Sequence, residues 1–240
     1  MKHPFHSSIL PYFTMGAGGL GLTFRLWLYS AADKNGLLPA GHFANAGLYI
    51  LTALTLLVLF LATRELQPRH ISKRFYRASR CCAYAAGGLG LILTSVLKLF
   101  PSNARLASIA IIASLIGGIL MLLLAGLAVL HKKPPYWAYG ILTVVFMLNT
   151  IAQCQAWGAE PQLQEYFFPL LASVFLILSG YQKTALAAKQ GNPQKLALFS
   201  QCALFFCCLS LNSSLWPLYL GLMFWSAVQI YFCIRFKKEA

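Results

Sequence analysis

Apolar residues fill this chain in long runs, and short polar segments break the runs at nearly regular intervals. The runs lie at about 10–30, 43–63, 81–100, 107–130, 136–157, 166–182, 196–214 and 215–234. Each has the length that carries a helix across about 30 Å of hydrocarbon at 1.5 Å rise per residue. Strands of a membrane barrel would be about 10 residues long and strictly alternating, and these runs do not alternate. The breaks "DKNGLLPAGH", "FPSNAR", "HKKPP", "GAEPQLQE", "KQGNPQK" and "LNSSLWP" are polar or rich in Gly, Pro and Asn, as turn segments are. The pattern predicts an all-α polytopic integral membrane protein. It would have about eight transmembrane helices in a single bundle, one domain over residues 1–240, arranged as four tandem helical hairpins. The break at "LNSSLWP" is the weakest. Without it the last two runs would form one helix bent at Pro217, too long for a single crossing.

Composition agrees. Of 240 residues, 59% are hydrophobic and 10% charged, against about 25% charged in a soluble domain. The net charge of +14 would ordinarily point to nucleic acid, but its distribution points to topology instead. With the N-terminus placed inside, the inner side holds Lys2, Arg64, Arg69, Lys73, Arg74, Arg77, Arg80, Lys132, Lys133, Lys183, Lys189, Lys195, Arg235, Lys237 and Lys238. That is fifteen of the 19 Lys and Arg residues. The outer loops keep Lys34, Lys98 and Arg105, together with the acids Asp33, Glu160 and Glu165. This positive-inside bias predicts both termini in the cytoplasm and no nucleic-acid partner. A bacterial cytoplasmic membrane fits. The terminal "KKEA" is the one feature that resembles a retrieval signal of the endoplasmic reticulum. The basic stretch 64–80 is a candidate contact for anionic lipid, beside its simpler role as a topogenic loop. Ser30 and Ala32 make a small-x-small pair, yet the preceding run is long and carries Arg25, which argues against a cleaved signal.

Most catalytic and cofactor chemistries lack their residues. The seven cysteines show no C-x-x-C spacing and read as small apolar fillers. Cys81 and Cys82, beside the basic loop, are the only candidates for lipidation. His3, His6, His42, His70 and His131 all fall in tails or loops, so axial haem ligands, an H-E-x-x-H zinc site and a serine-hydrolase base are missing. No acid lies deep in a span to serve a proton relay. A retinal-type chromophore would call for a buried late lysine and a carboxylate counter-ion, and neither is read here. No cofactor and no metal is expected.

The chemistry that remains centres on one phrase written twice. "AGGLGL" begins at Ala17 and again at Ala86, so that Gly18 aligns with Gly87, Gly21 with Gly90 and Arg25 with Thr94. The copies run in the same direction and would be parallel repeats, or a convergence of two glycine-rich spans. Small residues let helices approach closely in lipid, which makes Gly18, Gly21, Gly87 and Gly90 candidate packing positions. Arg25, four residues past Gly21, shares their face and so points toward protein. A charged residue inside a span costs about 2.5–3.5 kcal/mol on insertion scales, so Arg25 requires acceptors.

Polar residues at helical spacing recur in the odd spans. Thr94 and Lys98 lie in the third, Asn149 and Gln153 in the fifth, and Gln201, Cys208 and Asn212 along the seventh. The even spans are blander, which predicts that odd helices line a shared centre and even helices face lipid. Arg25, Thr94, Lys98, Asn149, Gln153 and Asn212 become candidate ligand residues of an outer pocket, with Glu160 and Glu165 as candidate ion-pair partners. Two cations near such a mouth favour an anionic solute or lipid head group. The expected function is a small-solute or head-group carrier. The alternatives are a non-catalytic membrane subunit or assembly partner of a larger membrane complex, and, more weakly, a lipid-acting enzyme; the partner would be another membrane protein or a second copy of the chain.

The topology has a direct test. Cysteines introduced at Lys73 and Lys132 should react with an impermeant thiol reagent only after permeabilisation, and those at Asn35 and Gln162 without it. A reversed pattern removes the orientation and every depth argument with it.

Overall fold

The computed structural model describes residues 9–31, 42–64, 73–97, 99, 106–130, 132, 134–157 and 163–229, with side chains omitted at 73–77, 156–157 and 163–165. Among the described residues there are eight α-helices and no strand: α1 Leu10–Ser30, α2 Phe43–Arg64, α3 Lys73–Val96, α4 Ala107–Val129, α5 Tyr136–Trp157, α6 Leu163–Ala187, α7 Pro193–Leu209 and α8 Trp216–Gln229. Five of these, α2, α4, α5, α6 and α7 with the turn after it, are long and apolar enough to cross a membrane. In α3 the opening residues Lys73, Arg74, Arg77 and Arg80 dilute the apolar run. In α8 only 14 residues are described.

The ends follow local chemistry. Asn192 caps α7 by accepting from the Gln194 N–H at 2.9 Å, and Pro193 takes the first helical position, where no N–H is needed. Pro217, at the second position of α8, likewise needs no N–H there. Between α7 and α8 the chain makes a 3-10 turn, Ser210–Asn212, rather than one bent helix. The two helices fold back on each other, with Cys208 Sγ 3.2 Å from Met223 Sδ. Two expected boundaries move. The helix expected at 81–100 begins at Lys73, so part of the basic segment 64–80 is helical. The helix expected at 166–182 continues to Ala187, because "KTALAA" holds no breaker before Gly191.

Each hairpin pair, α1 with α2, α3 with α4, α5 with α6 and α7 with α8, is packed side by side. Contacts also run from α4 to α5, from α6 to α7 and from α3 to α8, so α3 through α8 close into a ring. Helices α1 and α2 lie outside that ring against α7, which is buried along its whole second half, Ser200–Ser210. The alternation of odd inside and even outside is therefore not what forms. The ring interior receives side chains from α3, α5, α6 and α8, whereas α1 is peripheral. The reason is that α7, short and hemmed in on all sides, takes the middle of the bundle and pushes α1 to one side of it.

Polarity is reversed relative to a soluble protein. Ile50, Leu57, Ile112, Leu123 and Val144 are exposed, while Thr14, Ser114, Asn149, Gln153, Gln201 and Ser226 are buried, the distribution that suits lipid as solvent. Many buried hydroxyls satisfy themselves. Thr14, Thr52, Thr94, Thr143 and Thr150 each donate to the carbonyl four residues back at 2.7–2.9 Å.

The glycines sit where helices touch. A Cβ added at Gly18 would lie 2.6 Å from Cys208 Cβ, and one at Gly21 would overlap Leu209 Cδ2, so both hold α1 against α7. On α3 the copies of these residues meet different partners. A Cβ at Gly87 would come 2.8 Å from Met121 Sδ of α4, and one at Gly90 2.5 Å from the Pro217 carbonyl and 3.1 Å from Gly221 Cα of α8. Gly88 opposes the Gly118 carbonyl at 2.8 Å, whereas its counterpart Gly19 has nothing within 4 Å. The two "AGGLGL" segments thus occupy inequivalent surroundings.

This contrast is measurable. Gly90→Leu and Gly221→Leu force backbone against backbone and should cost more than the roughly 1–3 kcal/mol of ordinary overpacking, seen as loss of monodisperse protein in detergent. Gly19→Leu should leave yield and thermal midpoint unchanged. Equal damage at all three positions would show that these glycines are not the contact points.

Candidate functional site at the Arg25 cavity

Arg25 leaves α1 about one turn before the helix ends. Its side chain is 3% exposed and reaches the terminus of α7, where Nη1 donates to the Leu209 carbonyl at 2.6 Å. Nη2 donates to the Tyr29 hydroxyl at 3.3 Å, one turn along the same helix. The guanidinium carbon lies 5.7 Å from the centre of the Tyr29 ring and 5.5 Å from that of Phe168 on α6, within cation–π range. The last carbonyls of a helix have no intrahelical donor and carry the negative end of its dipole. A cation there is favourable, and it adds a charged donor at the point where α7 gives way to the 3-10 turn. The sequence offered Glu160 and Glu165 as ion-pair partners for Arg25; among the described residues its acceptors include the Leu209 carbonyl and Tyr29. Glu160 lies outside the described residues, as does the side chain of Glu165.

Beside the guanidinium is a cavity of about 280 Å³, lined by Arg25 and Tyr29 of α1, Tyr166 and Pro169 of α6, Asn212–Leu215 of the turn, and Tyr219 of α8. This differs from the expected lining by the third, fifth and seventh spans. Pro169 lies inside α6 and has no N–H for the carbonyl four residues back. The turn brings three side chains with hydrogen-bonding ends, Asn212, Ser213 and Ser214, to the same wall.

Of the candidate ligand residues, Arg25 and Asn212 share this cavity. Gln153 lies behind it. The Tyr219 hydroxyl donates to Gln153 Oε1 at 3.1 Å and also lies 3.3 Å from the Pro169 carbonyl, and Ser173 Oγ donates to Gln153 Oε1 at 3.4 Å. Asn149 is elsewhere, accepting from Ser114 of α4 at 2.8 Å. Thr94 bonds to its own helix at the Gly90 carbonyl. Lys98 lies outside the described residues. Gln201 and Cys208 are buried on α7, but Asn212 is exposed on the turn and off their stripe.

Sequence reasoning missed the tyrosines of the cavity, Tyr29, Tyr166 and Tyr219, which read as plain apolar residues of their spans. It also missed Lys183. Placed in a connecting loop by its charge, Lys183 instead lies in α6 at 2% exposure, with Nζ donating to Gln229 Oε1 of α8 and lying 5.4 Å from the centre of the Tyr139 ring. The absence of a buried lysine was half the argument against a retinal-type chromophore, and Lys183 removes that half. The signal was available: the interval from Ser179 to Lys183 repeats the four-residue spacing used for the other polar pairs. No cluster of three or more metal-binding side chains occurs among the described residues.

Comparison of the chain with protein families, curated proteins and solved structures finds no match.

The clamp formed by Arg25 predicts a graded response. Arg25→Met leaves the Leu209 carbonyl without its charged donor and should lower stability in detergent by about 1.5–3 kcal/mol, the range for hydrogen bonds to charged groups. Arg25→Lys keeps a donor but loses the planar fork and should fall between. Tyr29→Phe should change little. If Arg25→Met unfolds at the wild-type midpoint, the contact to Leu209 is not holding the helices.

Proposed function

We propose that this chain is an eight-span carrier of a cytoplasmic membrane, with both termini inside, and that the Arg25 cavity is its outer binding pocket for a small anionic solute or lipid head group. The observation that carries this reading is the composition of that cavity. One space of about 280 Å³ gathers a guanidinium, two serines, an asparagine and three tyrosines. The volume lies near the lower end of ligand pockets and suits a small solute. Arginine presents five donors in a fork that matches carboxylate and phosphate, and the nearby hydroxyls would complete an anion's shell. Arg25 would thus hold the helices together and mark the pocket at once, and Pro169 would give α6 a bend there. The energy for transport would come from a gradient or a partner chain. The basic segment 64–80 would lie at the cytoplasmic leaflet against anionic lipid.

A second reading, a membrane subunit that binds another helix or a second copy of itself, draws on a different feature. Along the α3–α8 seam runs an apolar groove of about 230 Å³ lined in part by Leu89, Leu93, Leu220 and Phe224. A partner helix would fit it by apolar packing.

Purified protein in proteoliposomes should take up radiolabelled inorganic phosphate or succinate, or scramble a fluorescent phosphatidylglycerol, above protein-free vesicles. Arg25→Lys should bind the same anion at least about tenfold more weakly. Absence of flux together with co-purification of a stoichiometric membrane partner favours the second reading.

A further inference from the structure

We propose that the Tyr219 hydroxyl is a neutral donor of the Arg25 pocket, and that Gln153 and Ser173 hold it back as a latch until an anion claims its proton. The inference deepens the reading of that cavity as an anion pocket and rests on it. The latch itself is carried by the hydrogen bonds at the cavity floor.

Tyr219 of α8 lines the cavity and is fully buried. Its hydroxyl stands among acceptors on two other helices. It donates to Gln153 Oε1 of α5 at 3.1 Å, and it lies 3.3 Å from the Pro169 carbonyl and 3.5 Å from Ser173 Oγ, both of α6. A phenol has one proton to donate, so it serves one of these acceptors at a time. Pro169 is part of the cavity wall, so the hydroxyl is held between that wall and Gln153.

Two features of this group break the pattern of the bundle. Gln153 is fully buried and its oxygen accepts from both Tyr219 and Ser173, the latter at 3.4 Å, while its side-chain nitrogen has no partner among the described residues. A buried donor left unused is costly and rare. Ser173 is the second exception. Thr14, Thr94, Ser95, Thr143 and Thr150 each give their proton to the carbonyl four residues back. Ser173 gives its proton to Gln153, and the carbonyl four residues before it, that of Pro169, faces Tyr219 instead. One half-turn of the Gln153 amide resolves both. The nitrogen then donates toward Tyr219 Oη and Ser173 Oγ, and Ser173 turns its proton to the Pro169 carbonyl, as its counterparts do. The amide oxygen takes the nitrogen's former place, and an under-satisfied buried carbonyl is less rare than an orphaned N–H. The Tyr219 proton is released toward the cavity, and the helix backbones need not move. An occupant with an acceptor oxygen, a carboxylate or phosphate group, takes that proton, whereas an ammonium or a metal cation cannot.

The test measures binding to full-length protein in detergent. The probes are inorganic phosphate and succinate, read by calorimetry, and phosphatidylglycerol against phosphatidylcholine, read by mass spectrometry of retained lipid. The free anions binding alone identify a solute, and phosphatidylglycerol alone a head group. Tyr219→Phe keeps the ring and removes the donor, and should weaken binding of that anion about fivefold, the worth of one hydrogen bond. Ser173→Ala should weaken it about threefold, because the released arrangement loses two hydrogen bonds and the latched one loses one. Gln153→Met should change the affinity beside Tyr219 but not in the Tyr219→Phe background, since Gln153 acts through that hydroxyl; a merely structural role shifts both backgrounds alike. If Tyr219→Phe fails to fold, Ser173→Ala decides, and unchanged affinity there overturns the latch. Full affinity in Tyr219→Phe, or an effect of Gln153→Met that persists without the hydroxyl, overturns the latch and leaves the Arg25 pocket standing. If no probe binds the wild type, the latch and the pocket both fall. Binding with coupled variants but no flux upholds the latch and overturns the carrier reading.

Discussion

The hydrogen bond from Arg25 to the Leu209 carbonyl joins three things that would otherwise have no reason to coincide. Helix α7 is only 17 residues long and gives way to the 3-10 turn Ser210–Asn212. The Ser210 N–H and the 3-10 turn bond to its last carbonyls, which still carry the negative end of the helix dipole and a second lone pair. The guanidinium adds a charged donor there from a neighbouring helix. Because α1 is held against α7 by Gly18 and Gly21, the arginine one turn further on arrives at the point where α7 runs out. The glycines set the distance between the helices, and the arginine uses it. The cost of placing a charge in a span is offset by an acceptor, by two aromatic faces and by the negative end of a helix dipole. The cavity lies at the same break, lined by Asn212–Leu215 after α7 and by Pro169 of α6.

The bundle uses two kinds of contact for two different jobs. Backbone-close glycine contacts bind α3 to α4 through Gly88 and Gly118, and α3 to α8 through Gly90 and Gly221. Such contacts gain from dispersion over many atoms and tolerate no added carbon. Across the ring interior the contacts are instead the ends of long side chains: Tyr84 to Tyr139, Phe146 to Trp225, Lys183 to Gln229. These tie together helices whose backbones stay apart. They are polar or aromatic rather than backbone-close.

How much of this could be read from the residues depended on which physical rule governed each region. The eight helices and most of their limits follow from apolar run length and from breakers such as "NPQK", where a cap and a proline coincide. The glycine contacts were legible for the same reason: in lipid a glycine-rich helix face has little use other than close approach. Pairing was not legible. Nothing local says that α1 meets α7 or that α3 meets α8, and the repeated "AGGLGL" invites an equivalence that Gly19 and Gly88 contradict. Charge misleads in one place. Lysines in such chains gather at the inner face, which points Lys183 to a loop, yet the helix formers around it continue for another turn and carry it inside. The tyrosines are hard to read because a tyrosine in a span has both an apolar body and a polar end, and only the fold decides which of them matters.

The two buried cations differ in how their charge is met, and that difference bears on what each can do. Arg25 donates to a backbone carbonyl, an acceptor that cannot rotate away or be titrated. Its role in holding α7 therefore persists whether or not anything occupies the neighbouring cavity. Lys183 donates to the side-chain oxygen of Gln229, an acceptor on a flexible stem, and its neighbours Ser179 and Ser226 are not committed to other protein groups among the described residues. The two buried cations are thus met by acceptors of unequal mobility, one a main-chain carbonyl and the other a side-chain amide.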